Sequence, residues 1–328
     1  MLDRCGRVGT TLAFEGADGG PGEPAEYREE STEQCEGTCV VAGAGVEVVV
    51  VAYGTPELLD QALGALNCAF PVHVVDNGLS DEAERIAARH GADYVRPVRN
   101  VGFAAAVNVG LRRCPLGSDV LLLNPDAQVT PEAVLMLQRG LGSAGGRVAA
   151  AAPRLLRPTG EVEQTAWPMP SPTLPWRGAV GRGGVRPGDE VFLSGAVLLL
   201  ASAAISEVGL FDERFFLYGE ESDWERRALL AGWTVLELGE VEAVHVGAAT
   251  SEDPGLRLRL FHGSAEIFIR KWYGGRGWAL CRTGALLASA RRLLTARDPG
   301  ARQQARRTFW LYVRGPVASL PRFAKAAV

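Results

Sequence analysis

The run VEVVVVAY (46–53), followed by TPELLDQALGAL (55–66), decides the fold class. An unbroken β-branched run, rather than an alternating one, predicts a strand buried on both faces, the kind that parallel sheets use. The next segment spaces Leu58, Leu59, Ala62, Leu63 and Leu66 as a helix does, with Pro56 in the first turn, where a missing N–H costs little. The alternation continues. PVHVVD (71–76) reads as a strand, SDEAERIAARHG (80–91) as a helix capped by Ser80 and ended near Gly91, and ADYVR (92–96) as a strand. A helix over 102–113, the strand DVLLLN (119–124) and a helix over 131–141 opened by Thr130 and Pro131 follow. This order predicts an α/β, Rossmann-like, mostly parallel sheet with helices on both faces, whose ligands bind beyond the carboxyl ends of the strands.

Downstream, residues 142–190 are rich in Gly and Pro (WPMPSPTLPWRG, GRGGVRPGD) and read as a long loop over the site. An apolar strand is expected over 191–200, then a short helix over 202–207, the acidic stretch FDERFFLYGEESDWERRALLAGW (211–233) and a strand near 234–238.

The chain has 328 residues, 47% apolar and 22% charged, with 40 Gly and 19 Pro, a globular composition able to bury a core. Its net charge of −4 is unevenly spread. Residues 1–45 hold 3 basic and 9 acidic side chains, residues 46–278 hold 21 and 28, and residues 279–328 hold 10 and 1. Three parts are expected: a flexible acidic leader (1–45), a catalytic body (46–278) with halves at 46–141 and 142–278, and a basic amphipathic helical tail (279–328). An acidic body argues against a nucleic-acid partner. The six cysteines lack CxxC spacing and read as thiols of a reducing compartment. The first residues lack the apolar run of a secretory signal, and the longest uncharged apolar run, 192–205, is too short to span a bilayer, so a cytoplasmic location is expected.

The polar signals fall at strand ends. Asp76 and Asn77 end the second strand, where the carboxylate either binds a nucleotide base or ribose or shapes the turn. RNVGFAAAVNVGL (99–111) joins strand to helix with Asn100, Gly102 and Asn108 near the junction, which suits phosphate or ribose contacts or is an ordinary helix start. LLLNPDA (121–127) ends a buried strand in Asn124-Pro125-Asp126, a turn or a seat for a hard divalent cation. YGEESDWERR (218–227) clusters Glu220, Glu221, Asp223 and Glu225, and mutual repulsion there makes a general base, unless the cluster is only an exposed helix start. His245 follows an apolar approach and is either structural or a ligand. VAGAGV (41–46) precedes the first strand, so it is no dinucleotide fingerprint, and no P-loop is present.

In this order, VVVVAYGTPELL, DNGLSD, RNVGFAAAVNVGL, LLLNPDA, FLSGAVLLL, GLFDERFFLYGEESDWERRALLAGW and VHVG resemble the family 2 inverting glycosyltransferases of GT-A fold, within them the rhamnosyltransferase-like branch, over about residues 46–275. The resemblance implies that Ala52, Tyr53, Gly54, Asp76 and Asn77 hold the donor's base and ribose. Asn100, Gly102, Phe103 and Asn108 would line the rest of the nucleotide site. Asn124 and Asp126 stand in the place of the family's Asp-x-Asp element, Asp126 binding Mg2+ or Mn2+ with His245 as a further ligand. Ser194, Gly195 and Ala196 would border sugar and acceptor. Glu220-Glu221 stands where relatives commonly carry Glu-Asp, which makes Glu221 the general base and Asp223 its competitor.

The implied partners are a nucleotide-sugar donor, with a dTDP-deoxysugar such as dTDP-rhamnose first, and a glycan, lipid-linked or natural-product acceptor. A sugar nucleotidyltransferase is the other enzyme class open, although AYGTPELL lacks that class's basic phosphate loop; a non-catalytic nucleotide- or glycan-binding module is the third. For the basic tail, docking on the inner membrane face and packing on the catalytic domain or a second subunit are both open.

Overall fold

The computed structural model describes residues 45–143, 146–181, 184–247, 253–325 and 327. The expected acidic leader, apart from Gly45, lies outside the described residues. The first half runs β1 (Val46–Ala52), α1 (Pro56–Ala65), β2 (Val72–Asp76), α2 (Asp81–Arg89), β3 (Asp93–Val95), α3 (Phe103–Leu111) and β4 (Asp119–Leu123). Next come β5 (Ala127–Gln128), α4 (Pro131–Ser143), β6 (Val148–Leu156), β7 (Val162–Glu163), β8 (Ala166–Pro168), α5 (Leu174–Ala179), β9 (Val191–Leu193), β10 (Val197–Leu200) and α6 (Ser202–Val208). The chain continues through α7 (Glu220–Leu230), β11 (Thr234–His245), α8 (Pro254–Thr295), α9 (Pro299–Arg314) and α10 (Arg322–Lys325).

The main sheet has the order β3-β2-β1-β4-β10-β6-β11-β5, with β7 paired to β6. The pairs β2·β3, β1·β2, β1·β4 and β6·β11 are parallel, and β10 runs antiparallel between β4 and β6. The valine run of β1 is explained by its two neighbours of opposite face. Val48 and Val50 pack with α1, α2 and α4, while Val49 and Val51 pack with α3, α6 and α7. Each side chain points into a helix layer, so no polar alternation survives. Register aligns Ala52 with Asp76 and Val50 with Leu123, so β1, β2 and β4 end together at one edge of the sheet. That edge carries the site.

Three sequence expectations change. The loop over 142–190 contains β6, a central strand; its AAAA run is fully buried, and alanine's low strand propensity hid it. The strand expected over 191–200 is two strands. β9 pairs with β8 in a separate two-stranded sheet and β10 joins the main one, so Ser194, Gly195 and Ala196 form the crossing between them. The strand near 234–238 extends to His245.

The basic C-terminal segment is not a free tail. α8 kinks at Gly274 and runs unbroken through residues 278 and 279, where the charge changes but the helix does not. Trp176 of α5 donates to the carbonyl of Leu280 (3.0 Å), and Arg282 donates to the carbonyls of Tyr312 and Val313 (both 2.8 Å), tying α5, α8 and α9 together. No helix among the described residues is long and apolar enough to cross a membrane.

Candidate active site

A cavity of about 920 Å3 opens at the carboxyl edge of the sheet. Beside β1 and β2 it is lined by Tyr53, Asn77, Asn100, Gly102 and Phe103, and further in by Asn124, Asp126, Ser194, Gly195, Glu220, Glu221 and His245. The α3 end of this wall depends on Gly102. Its φ is +88°, and a Cβ there would stand 2.6 Å from the carbonyl oxygen of Phe216. Phe103 N–H donates to that same carbonyl at 2.6 Å, so the loop before α7 and the start of α3 close on each other.

Asp126 and His245, 119 positions apart, meet because β5 pairs antiparallel with β11, opposing His245 to Ala127. His245 Nε2 lies 3.5 Å from Asp126 Oδ1, and Nδ1 is 2.9 Å from Glu163 Oε2. Burial disfavours the imidazolium, but the neighbouring carboxylates of Asp126 and Glu163 outweigh it and raise the His245 pKa. Asp126 is 4% exposed, and its Oδ1 makes no hydrogen bond. Asparagine-proline-aspartate is thus more than a turn: it leaves a buried carboxylate oxygen facing a histidine.

On α7 Glu220, Asp223 and Glu225 are buried and Glu221 is half-buried, so the cluster is not an exposed helix start. Tyr218 (φ +69°) and Gly219 (φ +86°) are both left-handed, a sharp entry that a bulky Tyr adopts only under constraint, and it turns the first residues of α7 into the cavity. Glu220 and Glu221 follow, each with an unpartnered Oε2. Burial lifts Glu220 well above the usual carboxylate range, and the neighbouring Glu221 charge adds to it. Burial also raises Glu221, opposed by backbone N–H groups and a hydrogen bond from Glu220. Both carboxyl pKa values are therefore raised, and the two titrate as one interacting pair. Glu225, one turn on, accepts from Leu193 N–H (2.8 Å), and burial raises its pKa well above the usual range too.

Five residues expected in the site lie outside the wall of this cavity: Asp223 and Asn108, and Ala52, Gly54 and Asp76 of a neighbouring recess. Asp223 is fully buried between Lys271 Nζ (2.6 Å), Trp272 Nε1 (2.9 Å) and Arg227 Nε (3.2 Å). Two residues along a helix turn a side chain by about 200°, so Asp223 faces away from Glu221, and its lone pairs are spent on cations. Asn108 is 1% exposed and exchanges hydrogen bonds with Phe211 N–H and C=O (both 2.9 Å) and Glu213, which makes it a brace between α3 and the loop before α7.

Asp76 is also enclosed. Oδ1 accepts from Gly78 N–H (3.0 Å), and Oδ2 accepts from Ser80 N–H and Tyr94 Oη (both 2.7 Å). It lines a small recess beside Tyr53, together with Ala52 and Gly54.

Sequence reasoning missed Glu163, which sits on the two-residue β7, and the cavity-lining Arg157 and Arg257. It also missed a cluster at the opposite, amino-terminal end of the strands, where Glu47, His73 and Cys114 bring ligand atoms within 4.8 Å. There His73 is held by Glu47 (2.8 Å) and Asp93 (3.1 Å), and burial pushes the Cys114 thiol up to about 12.

The glycosyl transferase family 2 model matches residues 47–170, which span β1 to the end of β8. An N-acetylglucosaminyl-diphospho-decaprenol L-rhamnosyltransferase of Mycobacterium tuberculosis is 31% identical over 261 residues, covering 70% of this chain and 85% of that protein. The chain belongs to glycosyltransferase family 2. A hexosyltransferase of low-salt glycan biosynthesis, Agl10 of Haloferax volcanii, is 25% identical over 209 residues, covering 61% of this chain and 66% of its own length. The crystal structure of GalNAc-T7 with UDP, GalNAc and Mn2+ superposes with a TM-score of 0.50 at 14% identity, over 82% of this chain and 56% of that one, which shows the shared GT-A fold. As a family 2 glycosyltransferase the protein is an enzyme that acts on a sugar donor and an acceptor, and the cavity joins the sheet edge to the α7 carboxylates.

Proposed function

We propose that this family 2 glycosyltransferase moves a rhamnose-type deoxysugar from a dTDP donor to a hydroxyl of a lipid-linked glycan, with inversion at the anomeric carbon. The observation that carries this reading is one cavity lined by both Asp126–His245 and Glu220–Glu221, each group with an unpartnered buried oxygen. The donor and acceptor classes follow the Mycobacterium tuberculosis relative.

In this reading Tyr53, Asn77, Asn100 and Phe103 hold the nucleotide, with Asp76 fixing the turn that presents Asn77. Glu221 takes the proton of the acceptor hydroxyl, whose oxygen attacks the anomeric carbon from the face opposite the leaving diphosphate. Glu220, whose pKa burial raises well above the usual carboxylate range, hydrogen-bonds Glu221 and orients its carboxylate. The buried, unpartnered Asp126 oxygen and the facing imidazole make an oxygen–nitrogen donor set that fits Mg2+ or Mn2+, with Asp126 and His245 holding it. Bound there, such an ion would supply charge neutralisation for the departing diphosphate.

Transfer from dTDP-rhamnose to a polyprenyl diphosphate-linked N-acetylglucosamine, with the product's anomeric configuration read by NMR, tests the assignment; inversion is expected, and retention overturns it. Asp126→Ala should weaken Mn2+-dependent donor binding roughly 10–100-fold. Calorimetric titration with and without EDTA checks this, and identical affinities in wild type and variant remove the metal role.

A lipid-linked acceptor places the enzyme at a membrane surface, cytoplasmic in our reading. Leu280, Leu287 and Leu294 are exposed at every seventh position of α8, so they share one face, and Trp310 and Val313 are exposed on α9 among arginines. Leu287→Glu with Leu294→Glu should lower co-sedimentation with anionic vesicles severalfold at unchanged thermal stability. Equal partitioning would leave this face without a membrane role.

A further inference from the structure

The catalytic cavity does not stop at the α7 carboxylates. It continues between α5, α8 and α9, lined by Leu174, Gly178, Cys281, Ala285, Ala288 and Tyr312. Taken whole, its volume lies near the top of the ~300–1,000 Å3 range of single-ligand sites, which leaves room for a second substrate beside a nucleotide sugar.

We infer that this lane seats the lipid chain of the acceptor, holding the isoprene units nearest the sugar diphosphate while the glycan hydroxyl reaches Glu221. The inference rests on the lipid-linked acceptor proposed above and adds where that lipid lies. Four observations support it.

The first is continuity: the same cavity reaches Glu220, which is 4% exposed and has an unpartnered carboxylate oxygen. A chain in the lane is therefore joined to the reacting end within one cavity. The second is the wall chemistry. Among the described residues that line this stretch none is a carboxylate, and the polar groups of His262 and Tyr312 close on each other, Nδ1 lying 3.1 Å from Oη. Burial keeps that imidazole neutral, its pKa pushed down to about 4. The lane therefore presents aromatic and aliphatic surface, as an isoprenoid requires.

The third is that the lane is braced against collapse. Trp176 is fixed by its bond to the Leu280 carbonyl, and α8 passes under its ring only because residue 284 is Gly; a Cβ there would sit 2.5 Å from Trp176 Cδ1. The last is the rim. The exposed Arg292 lines the lane on the last turns of α8, two residues from the exposed Leu294, and Arg257 lines the cavity at the start of α8. A cation at the far end of an apolar lane, beside the leucine face of α8, suits the anionic headgroups of a membrane from which the distal isoprene units would enter.

Photo-crosslinking the full-length wild-type enzyme with a diazirine-bearing farnesyl diphosphate, followed by residue-level mass spectrometry, tests the placement. Labels are expected on lane residues such as Cys281, Ala285 and Tyr312, competed by unlabelled polyprenyl diphosphate and not by dTDP-rhamnose. Labels confined to the outer face at Leu280, Leu287 and Leu294, on a copy-to-copy contact, or insensitive to competition would overturn it.

Kinetics give a second measurement. Ala285→Leu and Ser289→Leu narrow the lane, and each should raise KM for a farnesyl-linked acceptor about tenfold more than for the same glycan diphosphate ending in a methyl group. An equal effect on both acceptors removes the lane from acceptor recognition. Competed lane labelling without sugar transfer to either acceptor would sink the proposed reaction and leave the lane standing. Transfer with labelling elsewhere would do the reverse.

Discussion

Glu221→Gln lowers kcat by roughly 10²–10⁴-fold while leaving donor affinity nearly unchanged, the size of effect that removal of a general base produces. Gln keeps the length and most of the hydrogen bonding of Glu but cannot accept the hydroxyl proton. Donor binding is expected to be spared because the residues proposed to hold the nucleotide, Tyr53, Asn77 and Asn100, line the cavity at the sheet edge, apart from Glu221. The pH profile adds an independent signature. A base must be ionised, so activity falls as pH drops through the folded-state pKa of Glu221. Burial raises that value, so the acid limb of kcat/KM lies above the ~4.3 of a free glutamate. In Glu221→Gln that limb disappears from the residual activity. Near-normal turnover in Glu221→Gln, with loss in Asp223→Asn, would transfer the role to Asp223 against the geometry.

How much of this was legible in the sequence depends on the range of the interactions involved. β1 could be read because its burial on both faces is written in consecutive valines, and β2 and β4 because each ends in a polar turn at the same edge. The resemblance brought Asp126 and His245 together, and the reason they meet is a two-residue strand, β5, too short to leave a periodic signal. β7, with Glu163, is equally short. β6 was lost for a different reason: AAAA is buried in a sheet where neighbouring layers leave little volume, and alanine speaks for a helix when read alone. Asn108 and Asp223 are the instructive misplacements. Both are polar residues beside motif positions, and both are buried against partners distant in sequence, Phe211 for one and Lys271 and Trp272 for the other. Chain spacing carried part of the second answer, because residues 221 and 223 of one helix cannot both face one cavity.

Asp223→Ala separates stability from chemistry. The carboxylate is fully buried and pairs with Lys271, Arg227 and the indole of Trp272, so its loss strands donors that folding has already removed from water. Removing one partner of a buried ion pair costs about 3–5 kcal/mol when the other charge is left alone. Here Lys271 keeps Asp212 at 2.7 Å, and Arg227 keeps the carbonyls of Val208 (2.7 Å) and Leu210 (2.8 Å). The loss should therefore sit near the bottom of that range, about 3 kcal/mol. Thermal unfolding should drop by roughly 6–12 °C, since one kcal/mol moves Tm by about 2–4 °C in a domain of this order. Well below the lowered Tm, kcat should stay within a few fold of wild type, because Glu221 starts from the other side of α7 and its cavity wall is built by Gly195 and Tyr218. Asp223→Asn, which keeps an acceptor for Trp272 but not the charge, should fall between the two in Tm with the same kcat. A loss of kcat by two orders of magnitude in folded Asp223→Asn, with an unchanged melting temperature, would mean that the Lys271–Asp223 pair belongs to the reaction rather than to the support beneath it.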